Sequence, residues 1–558
     1  MLDTIKHLRD FDIFSDLDVH FATFITEISN NKKDELLLLG AVLASHFTSL
    51  GSSCVDLKRL AEDKFFPLQS EAGIKSLSCP NLSQWLAALQ KSSVVGQPGD
   101  YTPLILDKHR LYLYRYWDYE KQLVTQILAR CHQKTINVNH NILKADLSRL
   151  FPAQTDMQKI AAKTAVLSNF CIISGGPGTG KTSTVIKIIA LLLEQNPNLR
   201  IALAAPTGKA AARLQEAVKQ DTYTIHRLLG SKPNSHHFKS HAENRLLYDV
   251  VIIDEASMVD LALMAKLAQS IPKSARWILL GDKDQLASVE AGTVLGDICE
   301  ATVLKKNVVF LEKNYRFGED SGIWTLAQAV KLGKTDNALS ILKSKKYSDV
   351  NWHSISSSDY LPVPLIEQIV RNFSSSFQET QPAKLLEVFD KTRILCAMRR
   401  GPYGVEAVNQ KIEDELRRKG LIRINSRWYH GCPIMITRND YQLQLFNGDV
   451  GIILKGENYK LQAFFPSAEG KVRAFWPNRL PEHETVYAMT IHKSQGSEFE
   501  HVLILLPDQI SPVLSRELIY TGITRAKKRV SIWGNEQVFK AAVLQKIARS
   551  SGLREQLR

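Results

Sequence analysis

Short apolar segments alternate with stretches of helical periodicity over most of the chain from residue 170 onward. A first series of buried-strand patterns occupies residues 170–174, 200–205, 249–254 and 276–281. Residues 183–193 follow the first of these strands, with apolar positions at helical spacing and no glycine or proline. Strands that alternate with helices in this way predict a parallel α/β sheet.

A second series of strand patterns predicts a second α/β lobe. It covers residues 392–398, 501–506 and 529–534, and the polar stretch ahead of it at residues 374–382 is typical of a surface loop or linker. Further short strand patterns occupy residues 433–437, 450–454, 459–465 and 471–476. Turn signals separate them at residues 447–449, 456–458 and 469–470. We therefore expect a small all-β insertion at about residues 428–480.

The first part of the chain shows mainly helical patterning and no phosphate-binding or metal motif. A chain of 558 residues is too long for one core. We predict an N-terminal domain at residues 1–150, a first α/β domain at residues 151–320 and a second at residues 321–558.

Composition is that of an ordinary globular protein, with 44% hydrophobic and 23% charged residues. No apolar run approaches the ~20 residues of a membrane helix, and the N-terminus lacks a signal-type apolar segment, so we expect no membrane contact and a cytoplasmic location. The apolar residues 36–44 are expected to be a core segment. Seven cysteines without a C-x-x-C pair indicate neither a disulfide framework nor a zinc site.

The net charge of +14 favours a polyanionic partner, because lysine and arginine gain affinity by releasing counterions from nucleic acid. Many basic proteins are merely soluble, so charge alone leaves both interpretations open.

The chemistry of the chain is clearest in the sequence GGPGTGKT at residues 175–182, which fits the phosphate loop G-x-x-x-x-G-K-[ST] at every fixed position. Glycines let backbone amides turn inward around phosphates, Lys181 places a charge against the outer phosphates, and the Thr182 hydroxyl can hold Mg²⁺. The predicted strand before the loop and the helix after it supply the geometry of an anion site. The expected nucleotide-binding residues of the loop are Gly175, Gly176, Pro177, Gly178, Thr179, Gly180, Lys181 and Thr182.

Carboxylates follow the predicted strand at residues 249–254, at the end where open α/β sheets place their ligands. We expect Asp254 to hold Mg²⁺ and Glu255 to orient and deprotonate the attacking water. Gln285 follows the next strand and could reach the γ-phosphate or the water. Arg316 and Arg525 could stabilise the charge of the transferring phosphoryl group, although spacing alone does not select these two among 71 lysines and arginines.

A set of motifs in one order resembles the superfamily 1 helicases, and within them the RecD group. The resembling stretches are Gln158 in TDMQKIAAKTAV, APTGKAAARL from Ala205, TIHRLLG from Thr224, DEASM from Asp254, GDKDQLASVEAG from Gly281, NYRFG from Asn314, TIHKSQGSEF from Thr490, and residues 520–527. They span residues 150 to 540 or so. None of the motif residues is replaced, so an inactive ATPase is not indicated.

The resemblance implies two RecA-like P-loop NTPase domains, with a small SH3-like β-barrel inserted in the second. It implies ATP and Mg²⁺ in the cleft between the lobes, with Gln158 reading adenine. Tyr315, Arg316, Gly496, Glu498 and Arg525 would approach from the side of the second lobe. It also implies single-stranded DNA across both lobes and 5′ to 3′ movement. The implied DNA contacts are Thr207, His226, Thr490 and His492.

Within this group, residues 395–409, 431–453 and 480–502 are similar to the RecD subunit of RecBCD, the exodeoxyribonuclease V complex. That similarity implies RecB-like and RecC-like partner subunits, action at single-stranded and duplex DNA ends, and a role in double-strand break repair and degradation of linear DNA. It places the nuclease site in a partner and makes the N-terminal domain the partner-contacting part.

Other interpretations stay open at this point. One is a stand-alone RecD-like helicase, although such proteins usually carry a longer N-terminal extension. Another is an ATP-gated DNA-binding scaffold subunit that unwinds nothing. The basic residues 232–245 are either a strand-separating hairpin or a solvated loop.

Overall fold

Two parallel sheets form the centre of the chain, and a small α/β domain precedes them. The computed structural model describes residues 1–62, 64–65, 77–133, 138–152, 157–232, 235, 237–318, 320–355, 361–374, 379–422, 427–440, 442–456, 460–467 and 471–558.

The N-terminal region is mainly helical, with a four-stranded sheet in the order β1-β6-β5-β4. Asp34 caps its central helix, α3, and nine consecutive residues of that helix are buried, which confirms the predicted core segment. The elements are α1 (Leu2–Asp10), α2 (Asp16–Glu27), α3 (Glu35–Ser49), β1 (Val55–Asp56), α4 (Leu57–Leu60), β2 (Lys64–Phe65), β3 (Leu77–Ser78), α5 (Leu82–Lys91), β4 (Val95–Gly96), β5 (Leu104–Asp107), β6 (Arg110–Leu113) and α6 (Tyr114–His132).

The first lobe contains a six-stranded parallel sheet in the order β12-β7-β11-β10-β8-β9. All residues of β7 are buried, because helices cover both faces of the sheet. The elements are α7 (His140–Leu150), α8 (Met157–Leu167), β7 (Phe170–Gly175), α9 (Lys181–Gln195), β8 (Ile201–Ala205), α10 (Gly208–Val218), β9 (Thr222–Thr224), α11 (Ile225–Leu229), β10 (Val250–Ile253), α12 (Leu261–Ser270), β11 (Arg276–Gly281), α13 (Val294–Glu300) and β12 (Val308–Leu311).

The second lobe contains a five-stranded parallel sheet in the order β13-β22-β21-β14-β20. Its elements are α14 (Gly322–Lys331), α15 (Thr335–Lys343), β13 (Val350–Ser354), α16 (Val363–Ser374), α17 (Pro382–Lys391), β14 (Thr392–Cys396), α18 (Val405–Arg418), β15 (Cys432–Ile436), β16 (Val450–Lys455), β17 (Leu461–Pro466), β18 (Val472–Phe475), β19 (His483–Thr485), β20 (Ala488–Thr490), β21 (Phe499–Leu505), α19 (Arg516–Thr524), β22 (Ala526–Gly534) and α20 (Glu536–Leu544). The last helix, α21 (Leu553–Gln556), lies outside this lobe and packs on α6 and α13.

The predicted β insertion is an antiparallel sheet in the order β18-β17-β16-β15-β19. The sheet extends to Thr485, beyond the predicted end at residue 480. The two parallel lobes and this insertion confirm the predicted fold class.

The packing of the helices bears on the division of the chain. Helix α6 contributes Leu123 and Ile127 to a core that it shares with the first sheet, and α7 packs on α9. The predicted boundary at residue 150 stays a prediction, and these contacts favour a division nearer residue 113. Leu553 and Leu557, which the prediction assigned to the second lobe, belong to the core that α6 shares with the first sheet.

Parts of several predicted features lie outside the described residues. These are residues 375–378 of the predicted linker, residues 457–459 and 469–470 of the predicted insertion turns and strands, and residues 233, 234 and 236 of the basic segment. Among the described residues, no helix is both long and apolar enough to cross a membrane.

Candidate ATP cleft and DNA groove

The phosphate loop lies between β7 and α9, as the sequence predicts. Gly178 and Gly180 have φ values of 82° and 81°, a conformation that favours glycine. A side chain on Gly180 would also overlap the amide of Gln158. The loop therefore depends on glycine for its backbone geometry and for the close approach of Gln158.

Gln158 forms a hydrogen bond with the backbone of the phosphate loop. Its amide donates a hydrogen bond to the Thr179 carbonyl at 3.1 Å, and the side chain is buried. Gln158 does not line the cleft, so its predicted contact with adenine stays a prediction. Lys181 Nζ donates to the carbonyls of Gly175 at 2.6 Å and Gly176 at 3.2 Å, which places the ammonium group inside the curve of the loop.

The two predicted carboxylates lie where β10 ends. Glu255 has a φ of 53°, and its amide donates to Asp254 Oδ1 at 2.8 Å. This left-handed conformation costs energy in a residue with a side chain, and such strain is typical of functional sites. Burial, and after it the neighbouring Glu255, raises the pKa of Asp254. Asp254 and Thr182 line the same cleft, so a carboxylate and a hydroxyl oxygen are available to Mg²⁺, which prefers such oxygen ligands together with water.

Gln285 connects the two lobes. Its Nε2 donates to Asp282 Oδ2 at 3.0 Å, and its Oε1 accepts from Arg525 Nη2 at 2.9 Å. Tyr520, on α19 of the second lobe, donates to the same Asp282 oxygen at 3.1 Å. Both Gln285 and Arg525 are buried, and burial lowers the pKa of Arg525. A change at either residue therefore reaches the other lobe through a short chain of hydrogen bonds.

Glu498 is the centre of a second link between the lobes. It accepts from Arg316 Nη2 at 2.6 Å and from Arg213 Nη2 at 2.8 Å. Burial alone would raise its pKa, but the two guanidinium groups outweigh burial and lower the pKa of Glu498 to about 2. Arg213 also donates to the Gly496 carbonyl at 2.8 Å. Among the described residues, Arg316 keeps one buried nitrogen, Nη1, without a hydrogen-bond partner.

Tyr315 and Arg316 lie elsewhere than expected. The resemblance implies that they approach from the side of the second lobe, whereas the structure holds them on the connection that follows β12. Asn314 donates to the Pro177 carbonyl at 2.9 Å, and the Tyr315 amide donates to the Gly178 carbonyl at 2.8 Å. These bonds attach the backbone of the connection to the phosphate loop, and the Arg316 side chain reaches from there to Glu498 of the second lobe.

The structure brings most of the predicted nucleotide residues together around a cleft of about 470 Å³. Arg213 lines the cleft as well and was missed, although it lies in the APTGKAAARL motif. No sequence signal distinguishes it, because its partners lie 283 and 285 residues away. The predicted residues that line the cleft are Pro177, Gly178, Gly180, Lys181, Thr182, Asp254, Glu255, Gln285, Tyr315, Arg316, Gly496, Glu498 and Arg525.

The four predicted DNA contacts line a second groove, of about 490 Å³. Thr207 and His226 come from the first lobe, and Thr490 and His492 come from the second. Burial lowers the pKa of both histidines, so each is neutral at neutral pH and offers a ring rather than a charge. Sequence reasoning did not select the other lining residues, among them Lys209, Arg399, Phe446, Glu484 and Lys493.

Phe446 belongs to the turn between β15 and β16 of the insertion. Its ring would lie 3.0 Å from a side chain at Gly208, at the start of α10 in the first lobe. Lys493 donates to Asn447 beside it at 2.8 Å. The insertion therefore contributes an aromatic ring to a groove whose lining also contains Lys209 and Lys493, a combination suited to single-stranded nucleic acid.

The basic segment at residues 232–245 is attached to the first lobe where it is described. Phe238 pairs with Ser231 and packs edge to face on His226, with ring centres 5.7 Å apart. Ser270 Oγ donates to the Ser240 carbonyl at 3.0 Å. The described part returns to the body of the lobe next to the groove, and its role stays open.

Comparison with known proteins identifies the family. The chain matches the RecBCD enzyme subunit RecD, N-terminal domain, over residues 11–112, an AAA domain over residues 158–291 and the UvrD-like helicase C-terminal domain over residues 485–533. A solved structure of Bacteroides Pif1 bound to ssDNA aligns with a TM-score of 0.41 at 21% identity, over 68% of this chain and 91% of that chain.

Curated relatives cover the chain almost completely. The RecBCD enzyme subunit RecD of Mycolicibacterium smegmatis is 38% identical over 98% of this chain and 98% of its own length. That of Haemophilus influenzae is 33% identical over 99% of both chains. The ATP-dependent RecD2 DNA helicase of Deinococcus radiodurans is 32% identical over 69% of this chain but only 50% of its own length. The chain therefore belongs to the RecD family, the family of the RecBCD enzyme subunit RecD.

Proposed function

We propose that this chain is the ATP-driven DNA helicase subunit of a RecBCD-type enzyme and moves along single-stranded DNA in the 5′ to 3′ direction. One observation carries the proposal: two segments, one from each lobe, run from the DNA groove into the ATP cleft. In the first lobe, α10 begins beside Thr207 in the groove and brings Arg213 to the cleft. In the second lobe, Thr490 and His492 lie in the groove, and Gly496 and Glu498 lie in the cleft.

This arrangement gives hydrolysis a mechanical output. ATP would take its phosphates at the amides of the phosphate loop and at Lys181, with Mg²⁺ held by Thr182 and Asp254. Glu255 would deprotonate the attacking water. Arg316 and Arg525 would neutralise charge on the transferring phosphoryl group. Gln285 would link this site to the second lobe through its hydrogen bond with Arg525. Because Glu498 and Arg213 lie on the segments that also border the groove, a change in cleft width moves the two halves of the DNA track.

DNA binding of this kind is independent of sequence. The lining offers basic groups and an aromatic ring, which contact the backbone and stack on bases of any identity. The proposed 5′ to 3′ direction rests on the resemblance to the RecD group.

Family membership supports the proposed partners. The relatives that align over nearly their whole length are named as RecBCD subunits, whereas the RecD2 helicase is about twice as long as its matched part. We infer a heterotrimer with RecB-like and RecC-like subunits that acts on DNA ends in break repair and in degradation of linear DNA. The N-terminal domain would supply the contact, the nuclease site would lie in a partner, and the cytoplasm would be the place of action.

Replacement of the loop lysine tests the proposal. Lys181→Gln should abolish DNA-stimulated ATP hydrolysis, and Lys163→Gln, on the exposed face of α8, is the matched control that should keep it. Turnover retained by Lys181→Gln would refute ATP-driven movement. Partial duplexes with 5′ or 3′ overhangs test direction, and unwinding from 3′ overhangs alone would refute the 5′ to 3′ assignment.

The alternatives predict different behaviour. A stand-alone helicase would purify as a processive monomer without RecB-like or RecC-like protein. An ATP-gated scaffold would hydrolyse ATP without displacing a strand. Mass analysis of the native complex and a strand-displacement assay with the purified chain therefore separate the three functions.

A further inference from the structure

The last residues of the chain leave the second lobe after α20 and end against the first lobe and the N-terminal region. Ser550 donates its amide to Ser52 Oγ at 3.1 Å and accepts from the Ser53 amide at 3.0 Å. Arg554 forms an ion pair with Glu300 of α13 at 2.9 Å. We call residues 545–558 the C-terminal tail. It connects all three parts of the fold.

Arg549 connects the tail to a loop that lines the proposed DNA groove. Its Nη1 donates to the Ser288 carbonyl at 2.7 Å and to the Glu290 carbonyl at 3.2 Å. These carbonyls belong to the loop that follows Gln285 in the first lobe. The guanidinium lies against Gly51, which has a φ of 89° and has no room for a side chain there. The Gly51 carbonyl in turn accepts from the Gly292 amide at 2.9 Å.

The loop held by Arg549 forms one wall of the groove. Val289 lies between the two carbonyls, lines the groove, and keeps 71% of its surface exposed. His492 lines the groove as well, and its pKa is lowered by burial and then by the charge of Arg549. Arg549 therefore contacts the backbone of this loop, and the Val289 side chain of the same loop lines the groove.

The tail is anchored beyond Arg549 by a buried carboxylate. Glu120, on α6, is fully buried. It accepts hydrogen bonds from Ser551 Oγ at 3.0 Å and Gln556 Nε2 at 3.0 Å in the tail, and from Ser53 Oγ at 2.6 Å in the N-terminal region. Five donors converge on this one group, because Tyr112 and the Gly552 amide also contact it. Such a network fixes the course of the tail and hence the place of the guanidinium.

We propose that Arg549 is a positioning residue of the DNA groove, through which the C-terminal tail and the Gly51 turn hold Val289 against the bound strand. The inference rests on the proposed DNA groove. It adds that the N-terminal region, through Gly51, helps to position the loop that lines the groove. A contact of a partner with the N-terminal region would then reach the DNA track through Gly51 and Arg549, without passing through the ATP cleft.

The test separates DNA binding from ATP binding in the full chain. Arg549→Ala should raise the single-stranded DNA concentration for half-maximal stimulation of ATP hydrolysis about tenfold, the factor for 1.4 kcal/mol of binding. The KM for ATP and the DNA-free hydrolysis rate should stay unchanged. Arg554→Ala, which removes an exposed ion pair in the same tail, is the matched control and should change none of these quantities.

Two results would overturn the proposal: unchanged DNA dependence in Arg549→Ala, or parallel loss of affinity for DNA and ATP, which indicates general damage. Should Arg549→Ala fail to fold, Arg549→Lys decides by the same measurements, because it keeps the charge but loses the second nitrogen, Nη2, which donates to the Val289 carbonyl at 3.4 Å. Anisotropy of labelled oligothymidine without nucleotide measures the groove directly. Wild-type protein that binds this probe but shows no DNA-stimulated hydrolysis would refute the proposed motor function, while the anisotropy comparison would still test Arg549.

Discussion

Arg213 and Glu498 join the two lobes across the ATP cleft, with 2.8 Å between Nη2 and Oε2. The pair is stronger than an ordinary surface ion pair, because Glu498 is half-buried and Arg316 contacts its other oxygen. Arg213 is also a charged cleft residue on the helix whose first turn borders the DNA groove. The pair is therefore placed to transmit cleft closure to the DNA track.

We expect Arg213→Ala to lower the DNA-stimulated kcat by about tenfold, since roughly 1.4 kcal/mol of closure energy would be lost. The affinity for nucleotide should change little, because Arg213 binds the opposite lobe. Arg418→Ala, on the exposed face of α18, is the control. Steady-state kinetics with and without DNA measure both quantities, and an unchanged kcat would show that the pair does not couple the lobes.

Arg316→Ala should reduce hydrolysis by about 10³-fold, the lower range for an arginine that contacts the transferring phosphoryl group. The unpartnered nitrogen Nη1 is the atom available for that contact. Single-turnover hydrolysis at saturating ATP isolates the step, and binding of a fluorescent nucleotide should persist. If the variant loses binding and hydrolysis in proportion, Arg316 holds the ground state and is not an arginine finger.

Gly180→Ala should weaken nucleotide binding by at least about tenfold, because the new methyl group would displace Gln158 and the loop backbone. Gly99→Ala is the matched control, since Gly99 also has a positive φ, 110°, but has open space around it. The free-energy cost of a positive φ in a residue with a side chain appears in both variants. Equal nucleotide affinities would show that the contact between Gln158 and the loop is dispensable.

Much of this site follows from sequence because its parts are local. The strand, loop and helix at Phe170–Gly175 and Lys181–Gln195 are encoded by apolar runs and glycines, so periodicity and one motif predict them. The carboxylates after β10 follow from the same reasoning, since a buried parallel strand delivers its last residues to one edge of the sheet.

Contacts between residues that are far apart in the chain could not be predicted from the sequence. Arg213 belongs to the APTGKAAARL motif, but its role has no sequence signal, because an arginine on an amphipathic helix is usually a surface charge. The connection around Tyr315 was assigned to the wrong side, because motif order gives sequence position and not the hydrogen bond to Gly178. The contacts of Arg549 in the tail have no sequence signal, since the partners of Arg549 are backbone carbonyls, which every residue has.

The buried carboxyl of Glu120 makes the free energy of unfolding depend on pH. Burial raises the pKa of this carboxyl from 4.5 to about 7, against the hydrogen bonds from Ser53 and Ser551 that lower it. The folded protein therefore binds the proton more tightly than the unfolded chain, so the contribution of Glu120 is complete below about pH 4.5 and is lost as the pH rises through 7. The change is at most about 3 kcal/mol.

The neutral variant Glu120→Gln should therefore gain thermal stability relative to the wild type between pH 5 and pH 8, measured as the difference in unfolding temperature at each pH. Asp297, whose pKa burial raises to about 6, faces the same Ser551, and its charge also raises the pKa of Glu120, so the difference between the two proteins contains the interaction of these two carboxyls as well. Glu27→Gln, at an exposed carboxyl on α2, controls for loss of charge. Parallel curves for Glu120→Gln and wild type would show that the buried carboxyl keeps its charge throughout and that its five donors outweigh burial.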